Sequence, residues 1–180
     1  AVFVFSLPIV TVGIVLSKKI ILLAFGYEYI TAYMSMSILL LLVLINFPAA
    51  VLENAILAYN QQRQSLKYSL SALVLNIVLN YLLIPKYGIS GAATATLIST
   101  TLGLFLIFKS FINRNGFKIK LNLISIVFST TIVGLITITL NFLGVNFWLI
   151  TIVSICIYVL LLYIYKDETL KQIISIKNQK

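Results

Sequence analysis

The chain alternates between long apolar runs and short polar breaks. A hydrocarbon core about 30 Å thick is crossed by roughly 20 helical residues, and six runs meet or approach that length. They cover residues 1–17, 30–58, 66–84, 89–108, 121–143 and 147–165. Between the first two, Lys18-Lys19 is followed by an interfacial piece, IILLAFGYEY, that breaks at Gly26. The third run is expected to stop at Pro85, which removes a backbone donor, and Gly88 then permits a tight turn. No strand-like alternation competes with these runs, and their lengths exceed the roughly 10 residues of a barrel strand. Backbone in lipid must satisfy its own hydrogen bonds, so each run is expected to be helical. The fold class expected is all-α: a polytopic transmembrane bundle of about six spans.

Composition narrows the picture further. About 61% of the residues are apolar and 9% charged, against roughly 45–50% and 25% in ordinary soluble domains. So few charges cannot cover a soluble surface. The chain has no His, one Cys and four acidic residues. The common metal sites and the Ser/His/Asp arrangement therefore lack raw material, and Asp167 and Glu168 sit in a polar tail without a pocket. We expect no enzyme, no metal and no cofactor. The net charge of +9 is dotted between apolar runs, which reads as topology and not as nucleic-acid binding.

The placement of that charge is uneven. Arg63, Lys67, Lys109, Arg114, Lys118, Lys120, Lys166, Lys171, Lys177 and Lys180 fall on one side of the six-span scheme; Lys18, Lys19 and Lys86 fall on the other. The richer side is expected to be cytoplasmic, which puts the C-terminus there, in a cell membrane. Tyr27, Tyr29, Tyr59, Tyr87, Trp148, Tyr163 and Tyr165 cluster near the expected interfaces, where amphipathic rings favour the headgroup level. The opening AVFVFSLPIVTVGIV has no Met and no basic region before it, unlike a signal peptide; it reads as starting partway through a longer protein.

Three features ask for more than spanning. The second run carries Asn46, Pro48, Glu53 and Asn54. Asn46 and Glu53 are seven residues apart and share a helix face. An intramembrane carboxylate is costly and marks a functional candidate, yet Glu53 is also near enough the cytoplasmic end to snorkel or to pair with Arg63 or Lys67. The third run carries Asn76 and Asn80, one turn apart, with Ser69 expected to continue their face; their amides either bond between helices or line a wet cavity. The third feature is the block PKYGISGAATAT from Pro85. Gly91 and Ala95 form a small-xxx-small pair beside Ala92, which allows close helix contact.

The stretch SLKYSLSALVLNIVLNYLLIPKYGISGAATATLIS, Ser65 to Ser99, resembles the polysaccharide flippases of the multidrug/oligosaccharidyl-lipid/polysaccharide exporter superfamily. The residues that carry the likeness are Asn76, Asn80, Pro85, Gly88, Ile89, Gly91, Ala92 and Ala93. LLAFGYEYITA and ILAYNQQR are similar to flanking family segments. The resemblance implies the C-terminal part of a two-lobed transporter of twelve to fourteen helices. Residues 1–109 would supply four helices of the second lobe, 110–165 two additional C-terminal helices, and 166–180 a basic cytoplasmic tail. The implied activity is flipping a lipid-linked oligosaccharide or polysaccharide precursor across the cytoplasmic membrane. The implied partners are the bilayer, the lipid-linked glycan, and glycan-assembly glycosyltransferases or a polymerase, with no nucleic acid. The substrate-path candidates are Asn46, Glu53, Arg63, Lys67, Asn76 and Asn80; Arg63 and Lys67 would serve as cations for a pyrophosphate, or only as positive-inside anchors. An ion-coupled multidrug exporter of the same superfamily and a non-transporting multi-pass scaffold subunit are the alternatives.

Overall fold

The computed structural model describes residues 2–116 and 124–164, and among these it is all-helical. Helix α1 is Val2–Phe25, a 3-10 turn covers Tyr27–Ala32, and α2 is Tyr33–Ala58. The helical run α3, Gln62–Asn115, is broken at Gly88, where φ 56 and ψ −132 are not helical. We call its arms α3a (62–87) and α3b (89–115). Helices α4, Ile124–Phe142, and α5, Phe147–Ile164, complete the chain. The tail and Lys118, Lys120 and Tyr165 lie outside the described residues.

Several boundaries differ from the sequence reading: the third run starts at Gln62, the fourth reaches Asn115, and two further ends have a clear physical cause. The first run does not end at Ser17: α1 passes through Lys18-Lys19 to Phe25. Neither lysine has to leave the helix, because each finds a tertiary partner. The Lys18 ammonium lies over the Tyr33 ring, 4.7 Å from its centroid, and Lys19 Nζ donates to the Val145 carbonyl at 3.0 Å. Such a contact satisfies a cation beside apolar surface. The third run likewise passes Pro85 and ends at Gly88. Proline deletes one donor, which a helix survives for its last turn; reversing the chain needs a positive φ, which glycine supplies.

The contacts fix the direction of every helix. Leu40 packs against Gly13, so α1 and α2 run antiparallel about Gly26. Ser35 meets Ser90 at 3.0 Å near one end, and Ile56 packs with Ile107 and Phe111 near the other. Helices α2 and α3b are therefore parallel, with α3a returning between them in sequence. Val4 clusters with Ile126 at one end and Lys19 reaches Val145 at the other, so α4 runs with α1; Tyr158 Oη donates to the Val4 carbonyl at 2.8 Å, so α5 runs against it. The 59–61 turn, Gly116 and the end of α5 gather at one end of the bundle. Gly26, Gly88 and Gly144 gather at the other.

Two apolar clusters hold the helices. Val4, Ile126, Val133, Tyr158 and Leu162 join α1, α4 and α5. Ile56, Ile107 and Phe111 join α2 to α3b, with Tyr68 of α3a packed on them. Between α4 and α5, the buried Thr137 and Ser154 hydroxyls bond at 2.9 Å. The outer surface is apolar instead of charged: Leu23, Val74, Ile77, Leu135, Ile152 and Leu160 are all more than half exposed. Soluble monomers rarely show contiguous patches of this kind. Phe3–Phe25, Tyr27–Ala58, Gln62–Asn115 and Phe147–Ile164 are long and apolar enough to cross a membrane, and Ile126–Phe142 is a shorter apolar helix. Among the described residues the protein is all-helical, with several apolar helices long enough to span a membrane.

The α2–α3a turn is closed by a left-handed residue. Asn60 has φ 53; its N–H donates to Leu57 O at 3.1 Å, and the Gln61 N–H donates to Ile56 O at 3.0 Å. These two bonds make a Schellman cap. Asn60→Val is expected to lower stability by about 1–2 kcal/mol, the cost of left-handed geometry in a residue with a branched Cβ. Asn60→Gly should match or exceed wild type. Unfolding of the purified protein by titrated SDS checks both.

Candidate functional site

The hairpin is built from its turn outward. Arms α3a and α3b meet along a polar and small-residue seam whose partners lie nearly equal distances in sequence either side of Gly88. Asn76 Nδ2 donates to Ser99 Oγ at 3.0 Å, and Asn80 Nδ2 donates to Asn76 Oδ1 at 2.9 Å. Ser99 Oγ in turn donates to Ala95 O at 2.8 Å. Further down, Gln64 Nε2 donates to Ser110 Oγ, and Gln61 Nε2 donates to Asn115 Oδ1 at 3.2 Å. Small side chains let the arms close: Gly91, Ala95, Ser99 and Gly103 recur every four residues on α3b, and all are buried. A Cβ on Gly103 would stand 2.6 Å from Ala72 Cβ, and one on Gly91 would stand 2.4 Å from the Leu83 carbonyl oxygen. Ala92 is half-buried beside this stripe, while Pro85 is exposed at the end of α3a.

The six substrate-path candidates do not converge. Asn76 and Asn80 are half-buried and their amides are engaged inside the hairpin. Asn46 and Glu53 occupy one exposed stripe of α2 with Ala50 and Leu57. That stripe lies off the face of Ala49, Leu52 and Ile56 that packs toward α3b. No ion pair joins Glu53 to Arg63 or Lys67 among the described residues. Asn54, adjacent to the stripe, bonds its own helix at Ala50 O, 2.9 Å. Arg63 and Lys67 are exposed. By helical periodicity they project from α3a on the side away from Ala72 and Asn76.

Charge follows helix direction. Arg63, Lys67, Lys109 and Arg114 belong to the end that holds the 59–61 turn, and Lys18, Lys19 and Lys86 to the Gly88 end. Exposed aromatic residues mark both ends: Tyr27, Tyr29, Tyr87 and Trp148 at one, Tyr59 and Tyr163 at the other.

The partners of the amides escaped the sequence reading. In the sequence Ser99 is one hydroxyl among several near Thr94, Thr96, Thr100 and Thr101, and Gln61, Gln64, Ser110 and Asn115 lie outside the apolar runs. Ser69, expected to extend the Asn76 face, is exposed, and the seam runs through Ala72, Tyr68 and Gln64 instead. The signal that could have found them is the turn itself: once Gly88 is the pivot, residues mirrored about it must meet.

Removing one member of the Asn76–Ser99 bond tests its worth. Asn76→Leu and Ser99→Ala in a double-mutant cycle should couple by about 0.6 kcal/mol, and by no more than about 1.7, as for polar pairs in other membrane helices. SDS titration of the four proteins gives the value. Comparison with family models, curated proteins and solved structures found no match.

Proposed function

We propose that this chain is part of a membrane exporter that flips a lipid-linked oligosaccharide or polysaccharide precursor across the cytoplasmic membrane. The observation that carries the reading is the hairpin from Asn76 to Ala93, which joins the amide pair, the Gly88 turn and the Gly91-Ala92-Ala93 entry in an order that resembles the polysaccharide flippases. A glycan crossing an apolar layer needs polar groups in place of water. Asn46 and Glu53 are intramembrane polar side chains turned outward from the bundle, and lipid is a costly neighbour for both. A second bundle enclosing that stripe would give them a wet path to line. The cation-rich end would offer Arg63 and Lys67 to a phosphate, and its positive charge supports a cytoplasmic position for that end.

The test uses cells deleted for the complete gene. Lipid-linked oligosaccharides are extracted, quantified and assigned to a leaflet by their accessibility to an impermeant label. Accumulation on the cytoplasmic side with loss of surface glycan supports the proposal. Unchanged glycan with new sensitivity to cationic drugs sinks it and favours ion-coupled drug export. No change in either moves the reading to a scaffold subunit.

A further inference from the structure

The cation-rich end of the bundle holds a small, partly open polar cavity between α2, α3a and α3b. Its volume is about 10 Å³, which is room for a single water molecule. Gln61, Gln64, Ser65, Tyr68 and Ser110 line it, and Ile107 closes the apolar side. One atom there is out of balance. Gln64 Oε1 is buried and accepts no hydrogen bond from the protein. The nearby amide nitrogens are engaged elsewhere: Gln64 Nε2 bonds Ser110, and Asn115 Nδ2 bonds Phe111 O at 2.8 Å and Gln61 Oε1 at 3.5 Å. The Tyr68 hydroxyl stands beside Gln64 and Ser110, with Arg114 and Lys67 the charges closest to it.

These features select the ligand. A bare carbonyl oxygen calls for a donor, which turns away an anion. A metal cation needs about six oxygens around it, more than a one-molecule cavity offers, and the Arg114 and Lys67 charges repel it. A neutral molecule that both donates and accepts fits every partner. We propose that one long-lived water molecule occupies this cavity, donating to Gln64 Oε1 and bonding the hydroxyls of Ser65, Tyr68 and Ser110. It pins the start of α3a to the end of α3b, where direct side-chain bonds leave one acceptor over. The inference is independent of any transport activity.

The test is water–protein cross-relaxation by NMR on the full chain in lipid nanodiscs, with glutamine side chains labelled with nitrogen-15. The Gln64 Nε2 protons should show a cross-peak to a water that exchanges slowly. Ser65→Val, which places methyl groups in the cavity, should abolish that peak while the helical circular dichroism is unchanged. A resolved Gln64 signal without a water cross-peak in the wild type would overturn the proposal, and that measurement needs no variant. So would persistence of the peak in Ser65→Val. A Gln64 shift that follows replacement of sodium by potassium at constant ionic strength would assign the cavity to an ion and overturn it equally.

Discussion

Gly91→Ala is expected to cost more than any other single added methyl group in the described helices. The new Cβ would stand 2.4 Å from the Leu83 carbonyl oxygen, 2.7 Å from its carbon and 3.1 Å from the Ile84 nitrogen. All three are backbone atoms of α3a, close to the turn, so no side-chain rotation relieves the contact. The arms must part or the turn must reshape. Parting also loosens Ala95, fully buried one turn on, and lengthens the Asn76–Ser99 bond beyond it. Inserting volume into a packed core costs typically 1–3 kcal/mol, and the rigid partner puts Gly91→Ala at or above about 3 kcal/mol. Gly103→Ala is the informative comparison. Its Cβ would meet Ala72 Cβ at 2.6 Å, with nothing else nearer than 4.0 Å. We expect about 1–2 kcal/mol there, recovered in the double variant with Ala72→Gly. Steric trapping or SDS titration orders the three proteins. A Gly91→Ala protein as stable as wild type would show that the arms do not approach as described.

The apolar helices are legible in the sequence because their length is a one-dimensional property. The pivot is legible too, since Gly88 sits alone between two runs with Pro85 before it. The end of α1 is not legible, because a pair of lysines reads as a stop in one dimension. Lys18 and Lys19 remain helical because Tyr33 and Val145 reach them, and those residues lie one helix and five elements away. The site candidates failed to assemble for a related reason. Residue type nominates Asn, Glu and Arg, whereas the helix face decides what each can meet. Asn76 and Asn80 point into the seam; Arg63 and Lys67, on the same arm, point out of it. Only a register about Gly88 separates the two sets.

The stripe of Asn46 and Glu53 has the opposite character from the seam. In the seam each amide nitrogen finds a hydroxyl or a second amide, and the small residues of α3b let the helices approach closely. On α2 the polar groups are exposed beside Ala50 and Leu57. A seam of bonded amides gives rigidity and leaves little to bind a solute. An outward polar stripe gives a solute something to bind and contributes little to holding the bundle. On the proposed reading Asn46 and Glu53 are the pair to test for transport, while the bonds of Asn76 and Asn80 hold the hairpin together.

Gly88→Val is expected to strain the turn severely without straightening it in a bilayer. The backbone there, φ 56 and ψ −132, lies in the mirror-β region that glycine alone enters readily. A β-branched residue is a genuine outlier at positive φ, at a cost on the order of 1–3 kcal/mol. The helical alternative is one continuous rod from Gln62 to Asn115. In a membrane that rod would carry α3b out of the hydrocarbon. The arm holds Leu97, Ile98, Leu102, Leu104, Phe105, Leu106, Ile107, Phe108, Phe111 and Ile112. At about 2 kcal/mol per large apolar side chain, withdrawing them costs on the order of 20 kcal/mol. Strain loses that contest, so the hairpin stays closed and the protein loses stability. In SDS the penalty vanishes, because detergent covers α3b wherever it goes. Spin labels at the exposed Gln62 and Asn113 distinguish the two states. A closed hairpin keeps them within one interhelical spacing, ~10 Å between axes, plus the label arms. The rod separates them by roughly 75 Å, at 1.5 Å per residue. The variant should show short distances in nanodiscs and a long component in SDS, at detergent fractions where wild type remains closed. Identical distance distributions and stability for the two proteins would mean that another residue turns the chain.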